Sequence, residues 1–381
     1  MRRILKYALR LFLVVVVLTA FLAVWKREEI TRLMAVNSLF APDRIVANFA
    51  GMDRMFLSRA MDPGTPTPLP AGPARPLPPG FAQWATDRSV TAYVVLRDGA
   101  IVAEGYPHGT ALDRRISWSV AKSALSMLYG ILLAEGAVPP LDTEVTSVVP
   151  ALKGSAYQGA TVRNVMNMAS GIVFNEDYLD FNSDINRMGR VLALGGSMDG
   201  FAAGQSARRV APGTDWQYVS IDTHVIGMVI RAATGRSIPD LMQDRLFRPM
   251  GLEAAPYYVT DGEGVAFVLG GLNLTTRDYA RLGLLVAQRG MWQGRQLVPA
   301  DWIADSIRAS APAGALYGHQ WWVPEDAANG EVFARGIYGQ YIYVDTQRGV
   351  VIAVNSADRG FRTPGAHDSS LAMFRAIAAS L

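Results

Sequence analysis

Two β-rich stretches at opposite ends of the folded part of this chain constrain what it can become. The first, "TAYVVLRDGAIVAEGY" (91–106), is a pair of strand-like runs around Asp98-Gly99, a dipeptide that supplies the positive φ angles of a tight hairpin turn. The second, "EVFARGIYGQYIYVDTQRGVVIAVNSA" (331–357), repeats the pattern about Gln347-Arg348-Gly349. Between them lie "TVRNVMNMASG", "THVIGMVIRAATG" and "IPDLMQDRLFRPMG", each apolar at three-to-four spacing and closed by glycine, as helices are. "TTRDYARLGLLVAQRG" and "PADWIADSIRAS" read as further helices, and "SSLAMFRAIAASL" as a terminal one. The expected fold is α/β (α+β). Strands from both chain ends share one antiparallel sheet flanked by helices, and an all-helical insert over about 137–255 packs beside it, within a domain spanning 81–381.

The segment ahead of that domain divides in two. "MRRILKYALR" is basic and Leu11 to Trp25 carries no charge, so residues 1–32 read as a membrane anchor or signal segment. The stretch from Tyr7 to Trp25 is long enough to span if Arg10 snorkels to the interface. Charge is denser before the span than after it, which predicts a cytoplasmic N-terminus and a domain on the periplasmic or outer side of an inner membrane. No small-x-small cleavage site follows the apolar run directly, which favours an uncleaved anchor over a secreted, processed chain. Residues 33–80 read as a linker or surface strap: 26–60 show no committed pattern, and "DPGTPTPLPAGPARPLPPG" (62–80) holds eight prolines.

The charge balance argues against a nucleic-acid partner. The net charge is +3, but residues 1–32 alone carry +5, so the remainder is slightly acidic and offers no basic face. With no cysteine, thiol catalysis and thiolate metal sites are also out. The four histidines (108, 224, 319, 367) are scattered outside any H-E-x-x-H, and there is no G-x-S-x-G elbow, P-loop or dinucleotide fingerprint, so no metal or cofactor is called for.

What remains is "SWSVAKSALSMLYGILLAEG". Only four of the 36 basic residues are lysines (6, 26, 122, 153), and Lys122 alone has serine three residues before it. On a helix that spacing puts Ser119 and Lys122 on one face. Near a helix N-terminus, backbone N–H groups can hold an oxyanion, and the same positive end with burial lowers the lysine pKa. A neutral amine can take the serine proton, whereas arginine would keep its own. The plainer alternative is a capping serine beside a surface lysine. In "DWQYVSIDTHVIG", Tyr218 stands ready to relay a proton and Ser220 to add a hydrogen bond, unless Tyr218 is only a buried aromatic. In "ARGIYGQYIYVD", Gly339 permits close approach of a substrate backbone, and the N–H of Gln340 can join that of Ser119 around an oxyanion.

These elements, in this order, resemble the serine hydrolases related to class C β-lactamases and penicillin-binding proteins, and within them the branch of 6-aminohexanoate-dimer hydrolases and esterases. The resemblance runs from Phe81 to the C-terminus and takes in "LRDGAIVAEGY", "ASGIVFNEDY", "GGLNLTTRDYARLG" and "GHQWW". It implies a β-lactamase/transpeptidase-like fold, Ser119 as nucleophile, Lys122 as base, Tyr218 as proton relay and an oxyanion hole from Ser119 and Gln340. It adds Tyr178, Asn273 and Trp321 as substrate-pocket residues. Penicillin-recognising members carry Lys or His at the first place of their third motif. On that alignment Ile337-Tyr338-Gly339 stands there, and Ser220 replaces a common asparagine of the second motif, both favouring small esters or linear amides over β-lactams. The alternatives are a cell-wall DD-peptidase or weak β-lactamase, with Arg335 or Arg362 supplying the cation, and a non-catalytic penicillin-binding-like scaffold.

Overall fold

A computed structural model describes residues 2–327 and 330–381. Asp98 and Gly99 take the left-handed φ angles their identities allow, 50° and 84°, and join the strands Val90–Arg97 and Ala100–Gly105. These form one edge of a seven-stranded antiparallel sheet in the order 100–105, 90–97, 350–356, 340–345, 331–336, 321–322, 317–318. Strands from the two chain ends therefore meet within it, Val94 opposite Ala353. Both faces are covered. The helix Thr276–Ala287 lies against the central strands on one side, and Phe81–Asp87 and Ala366–Ser380 cover the other, where Trp84, Tyr343 and Phe374 are buried.

No strand runs between Ile116 and Tyr257, where the chain forms helices and loops. The helix Val120–Ala134 is buried on every side through Leu132, as its all-round apolar sequence requires. A second, four-stranded sheet sets its start. Arg115–Ile116 pairs with Leu272–Leu274, which pairs through Tyr257–Val259 with Ser58–Ala60.

That last strand corrects the reading of 33–80 as a linker. Leu39, Ile45, Phe49, Met52, Phe56, Met61 and Leu69 are buried in the main core, because residues 26–60 fold into short helices and a strand against the domain. Only the proline-dense part behaves as a strap, its Gly72 and Arg75 N–H groups bonding to the carbonyls of Ile101 and Val102. Further upstream, the helix Arg2–Trp25 contains a span, Arg3–Trp25, long and apolar enough to cross a membrane and free of contact with the core. An anchor and a signal segment both look like this.

Phe49 packs its ring 5.4 Å from that of Trp118 and 5.5 Å from that of Tyr338. Phe49→Ala should therefore cost about 3–5 kcal/mol, as truncation of a core phenylalanine does. A denaturant midpoint reads this directly, and a loss below about 0.5 kcal/mol, typical of a surface position, would return the segment to linker status.

Candidate active site

Ser119 stands at the N-cap of the buried helix, but its hydroxyl does not cap it. The Oγ instead accepts a hydrogen bond from Lys122 Nζ at 2.9 Å, and the same nitrogen donates to the carbonyl of Leu269 at 2.7 Å. That carbonyl arrives through the small sheet. Ser117 N–H bonds to Leu272 O at 2.8 Å as the 115–116 strand pairs with 272–274, which draws 269–271 alongside the helix start. Lys122 is 1% exposed, so it is neither a surface lysine nor an ordinary one. Burial pushes its pKa down from 10.5 to about 7, against the opposing charge of Glu176.

Glu176 has no counterpart in the motif reading. It is partly buried, and desolvation raises its pKa even with Lys122 nearby. Its carboxylate accepts from the N–H of Ser220 and, at 2.9 Å, from the hydroxyl of Tyr178. Burial thus moves Lys122 and Glu176 from opposite directions toward a neutral pair. Tyr218 lies in the extended stretch before the helix Ser220–Thr234, its ring centroid 5.4 Å from Lys122 Nζ. Burial and the charge of Glu176 hold its phenol well above the usual range, while the hydroxyls of Ser119 and Ser220 beside it favour the ionised form.

Ser119, Tyr178 and Ser220 line one end of a cleft of about 910 Å³, counted to its open mouth. The other pocket expectations need correction. Asn273 is fully buried in the small sheet, its amide donating to Gly271 O at 2.9 Å, and does not reach the cleft. Trp321 is core. Its neighbour Trp322 points the other way, as strand alternation demands, and stacks on Tyr218 at 5.4 Å. Gly339 is not in a strand but in the turn after Gly336. A side chain there would meet Ser356 and Asp358, not a ligand, and its φ of 81° is what the turn requires.

The Gln340 N–H, expected as the second oxyanion donor, follows Gly339 and not the glycine that meets Ser119. Gln340 is buried opposite Gly336 in the ladder, and its side-chain amide donates to the carbonyls of Tyr338 and Ser356 at 3.1 and 2.7 Å. It braces the turn. The glycine that approaches the nucleophile is Gly336, where an added Cβ would lie 3.1 Å from Ser119 N and 2.7 Å from Ser117 O. The following residue, Ile337, lines the cleft. Among the described residues neither the Ser119 nor the Ile337 N–H has a hydrogen-bond partner, so these two are placed to receive an oxyanion. The third motif is therefore Ala334-Arg335-Gly336, and its first place, where a penicillin-binding cation would stand, is a buried alanine. Arg362 is engaged with Asp177 at 2.7 Å. Arg335 is half-buried, and its charge reaches Tyr218.

Backbone strain brackets this geometry. Trp118, directly before the nucleophile, and Tyr338, directly after Ile337, have φ of 42° and 59°, angles that cost a non-glycine residue about 1–3 kcal/mol. Phe40 stacks on Tyr338 at 4.7 Å and Phe49 packs edge-on to Trp118, which fixes both.

Over residues 81–374 the chain matches the Beta-lactamase family. It is 30% identical over 311 residues, 74% of this chain and 79% of the relative, to the 6-aminohexanoate-dimer hydrolase of Paenarthrobacter ureafaciens. Its fold resembles that of a Bacillus anthracis protein provisionally assigned the same name, with a TM-score of 0.79 at 22% identity, over 89% of this chain and 95% of that one. A family VIII carboxylesterase superposes with a TM-score of 0.60 at 15% identity, over 81% and 99% of the two chains.

The Lys122 environment predicts a pH profile. An amine with its ordinary pKa of 10.5 would be neutral in roughly one molecule in 3,000 at pH 7, whereas one lowered to about 7 is half neutral. The rate of Ser119 acylation should rise with pH, reach half its plateau near pH 7 and stay flat to pH 9. A rate still climbing tenfold per unit above pH 8 would mean an unperturbed lysine.

Proposed function

The chain belongs to the beta-lactamase family of serine hydrolases, and from that premise we propose that it cleaves small esters or linear amides through an acyl-enzyme on Ser119. The observation that carries this reading is the 2.9 Å contact between a buried, easily neutralised Lys122 amine and the Ser119 hydroxyl. Neutral Lys122 takes the serine proton as Oγ attacks the carbonyl carbon, and the N–H groups of Ser119 and Ile337 receive the oxyanion. Collapse of the tetrahedral species breaks the ester or amide bond. Tyr218, beside both Ser119 and Lys122, returns the proton to the leaving alcohol or amine. Water then attacks the acyl-enzyme with the same groups acting in reverse, releasing the acid and restoring Ser119. The relative named as a 6-aminohexanoate-dimer hydrolase and the carboxylesterase of like fold support this class.

The substrate carries no obligatory carboxylate in this proposal, because the third motif offers Ala334 where a cation would sit. Losing one charged hydrogen bond costs about 1.5–3 kcal/mol, or roughly tenfold to a hundredfold in rate. Arg335, whose charge reaches Tyr218, favours a second reading: a DD-peptidase or weak β-lactamase that holds its substrate carboxylate from that side. The domain is proposed to stay tethered by residues 1–25 to the outer face of an inner membrane.

Lys122→Arg should lower kcat/KM on nitrophenyl acetate by about 10²–10⁴-fold without shifting the denaturation midpoint of the fold downward by more than the substitution of one buried group explains. Near-normal turnover would remove Lys122 from the mechanism. Wild-type protein should turn over nitrophenyl acetate far more efficiently than nitrocefin, and the opposite order would establish the carboxylate-binding reading. Sequencing of the chain from a membrane fraction should begin at the natural N-terminus; a start after about residue 25 would mean a cleaved signal.

A further inference from the structure

The cleft beside Ser119 is polar only at its catalytic end. None of the residues lining it carries a charge, and beyond Ser119, Tyr178, Asn186 and Ser220 its wall is hydrocarbon or aromatic. Two of those four are already spent. Asn186 donates its amide to Tyr178 O and Asp180 O at 3.1 and 2.7 Å, and the Tyr178 hydroxyl goes to Glu176. Apart from the unpaired Trp118 Nε1 and the Tyr338 hydroxyl, a ligand running away from Ser119 meets side chains such as Leu39, Phe40, Met52, Phe56, Met188 and Leu192. A charged chain end placed there would lose its water with no charged partner in return.

The origin of that wall adds a second observation. Five of its lining residues, Val36, Leu39, Phe40, Met52 and Phe56, come from a stretch that begins eleven residues past Trp25, the end of the membrane-length helix. The intervening residues are helical over Arg27–Ser38 and so reach only about 16 Å, which keeps the cleft close to whatever surface the N-terminal helix enters. Large apolar side chains within three residues in sequence of lining positions are exposed: Met34 at 66%, Leu179 at 82%, Phe181 at 66% and Leu194 at 50%.

We infer that the cleft is an acyl-chain pocket, and that the substrate class is esters or amides of uncharged aliphatic acids of about eight carbons or more. This rests on the acyl-enzyme reading above. The carbonyl sits at Ser119 and the tail runs toward Leu192 and Val36. The Ser119 Oγ–acyl bond forms as the carbonyl–leaving-group bond breaks, the alcohol or amine departs with the serine proton, and water releases the free carboxylic acid.

The test is a series of nitrophenyl esters, acetyl to dodecanoyl, on the full chain in one detergent at one concentration. Each methylene taken from water is worth about fourfold in kcat/KM, so octanoyl should exceed acetyl by on the order of fiftyfold if half the added methylenes seat. An octanoyl-length chain ending in carboxylate or ammonium should fall at least tenfold below its uncharged equivalent. Leu192→Trp, filling the far end, should lower the octanoyl-to-acetyl ratio at least tenfold, a ratio that a general loss of activity does not move. Presenting the octanoyl ester dissolved or within phosphatidylglycerol vesicles separates a soluble from a bilayer-borne source, faster turnover in either form being consistent with the pocket. Efficiency that falls from acetyl to octanoyl, or indifference to the terminal charge, would overturn the inference while leaving the acyl-enzyme reading intact. Absence of turnover on every ester, acetyl included, would overturn both.

Discussion

One lysine amine, held out of water against a serine hydroxyl, sets the terms for the rest of the molecule. Burying an amine is costly unless it sheds its proton or finds partners, and Lys122 does both, with Ser119 Oγ and Leu269 O as acceptors and a pKa near 7. Each partner requires its own architecture. The serine needs a helix that starts at the site and is buried on every side. The carbonyl needs the small sheet that brings residues 269–272 beside residues 115–117. Glu176, reached through the Ser220 N–H and the Tyr178 hydroxyl, completes the enclosure from the helical insert.

The segment before the domain is part of this arrangement. Phe40 and Phe49 pack on Tyr338 and Trp118, the two residues with left-handed backbone that flank the unpaired N–H groups of Ile337 and Ser119. Strain of this kind persists only where neighbours hold it in place. Here the neighbours come from the chain just beyond the membrane-length helix, and Phe40 both holds the oxyanion position and lines one wall of the cleft.

How much of this could be read in the sequence depended on how local the signal was. Ser119 and Lys122 are one helical turn apart, and a rare lysine in an apolar run carries its own chemistry. The hairpins announced the sheet through Asp98-Gly99 and the β-rich runs on either side of it. The third motif was legible only to within three residues, because Gly336 and Gly339 occupy equivalent-looking places in "RGIYGQ" and only the approach of Gly336 to Ser119 N separates them. Trp321 and Trp322 differ by one residue in a strand, hence by a whole face, and nothing local says which is outward. Glu176 was missed because its meaning lies in contacts with residues 122, 178 and 220 that the fold alone assembles. The burial of 33–60 did leave a trace. Leu39, Ile45, Phe49, Met52 and Phe56 recur at spacings of three to six, a pattern too irregular for one helix but wrong for a linker.

The most direct measurement is covalent. The full chain, incubated with a fluorophosphonate, digested and examined by mass spectrometry, should carry one adduct, on the peptide containing Ser119, and Ser119→Ala should carry none. A single activated serine is what a buried neutral amine at 2.9 Å produces. No adduct on the folded chain, or an adduct on another serine that survives Ser119→Ala, would contradict the account.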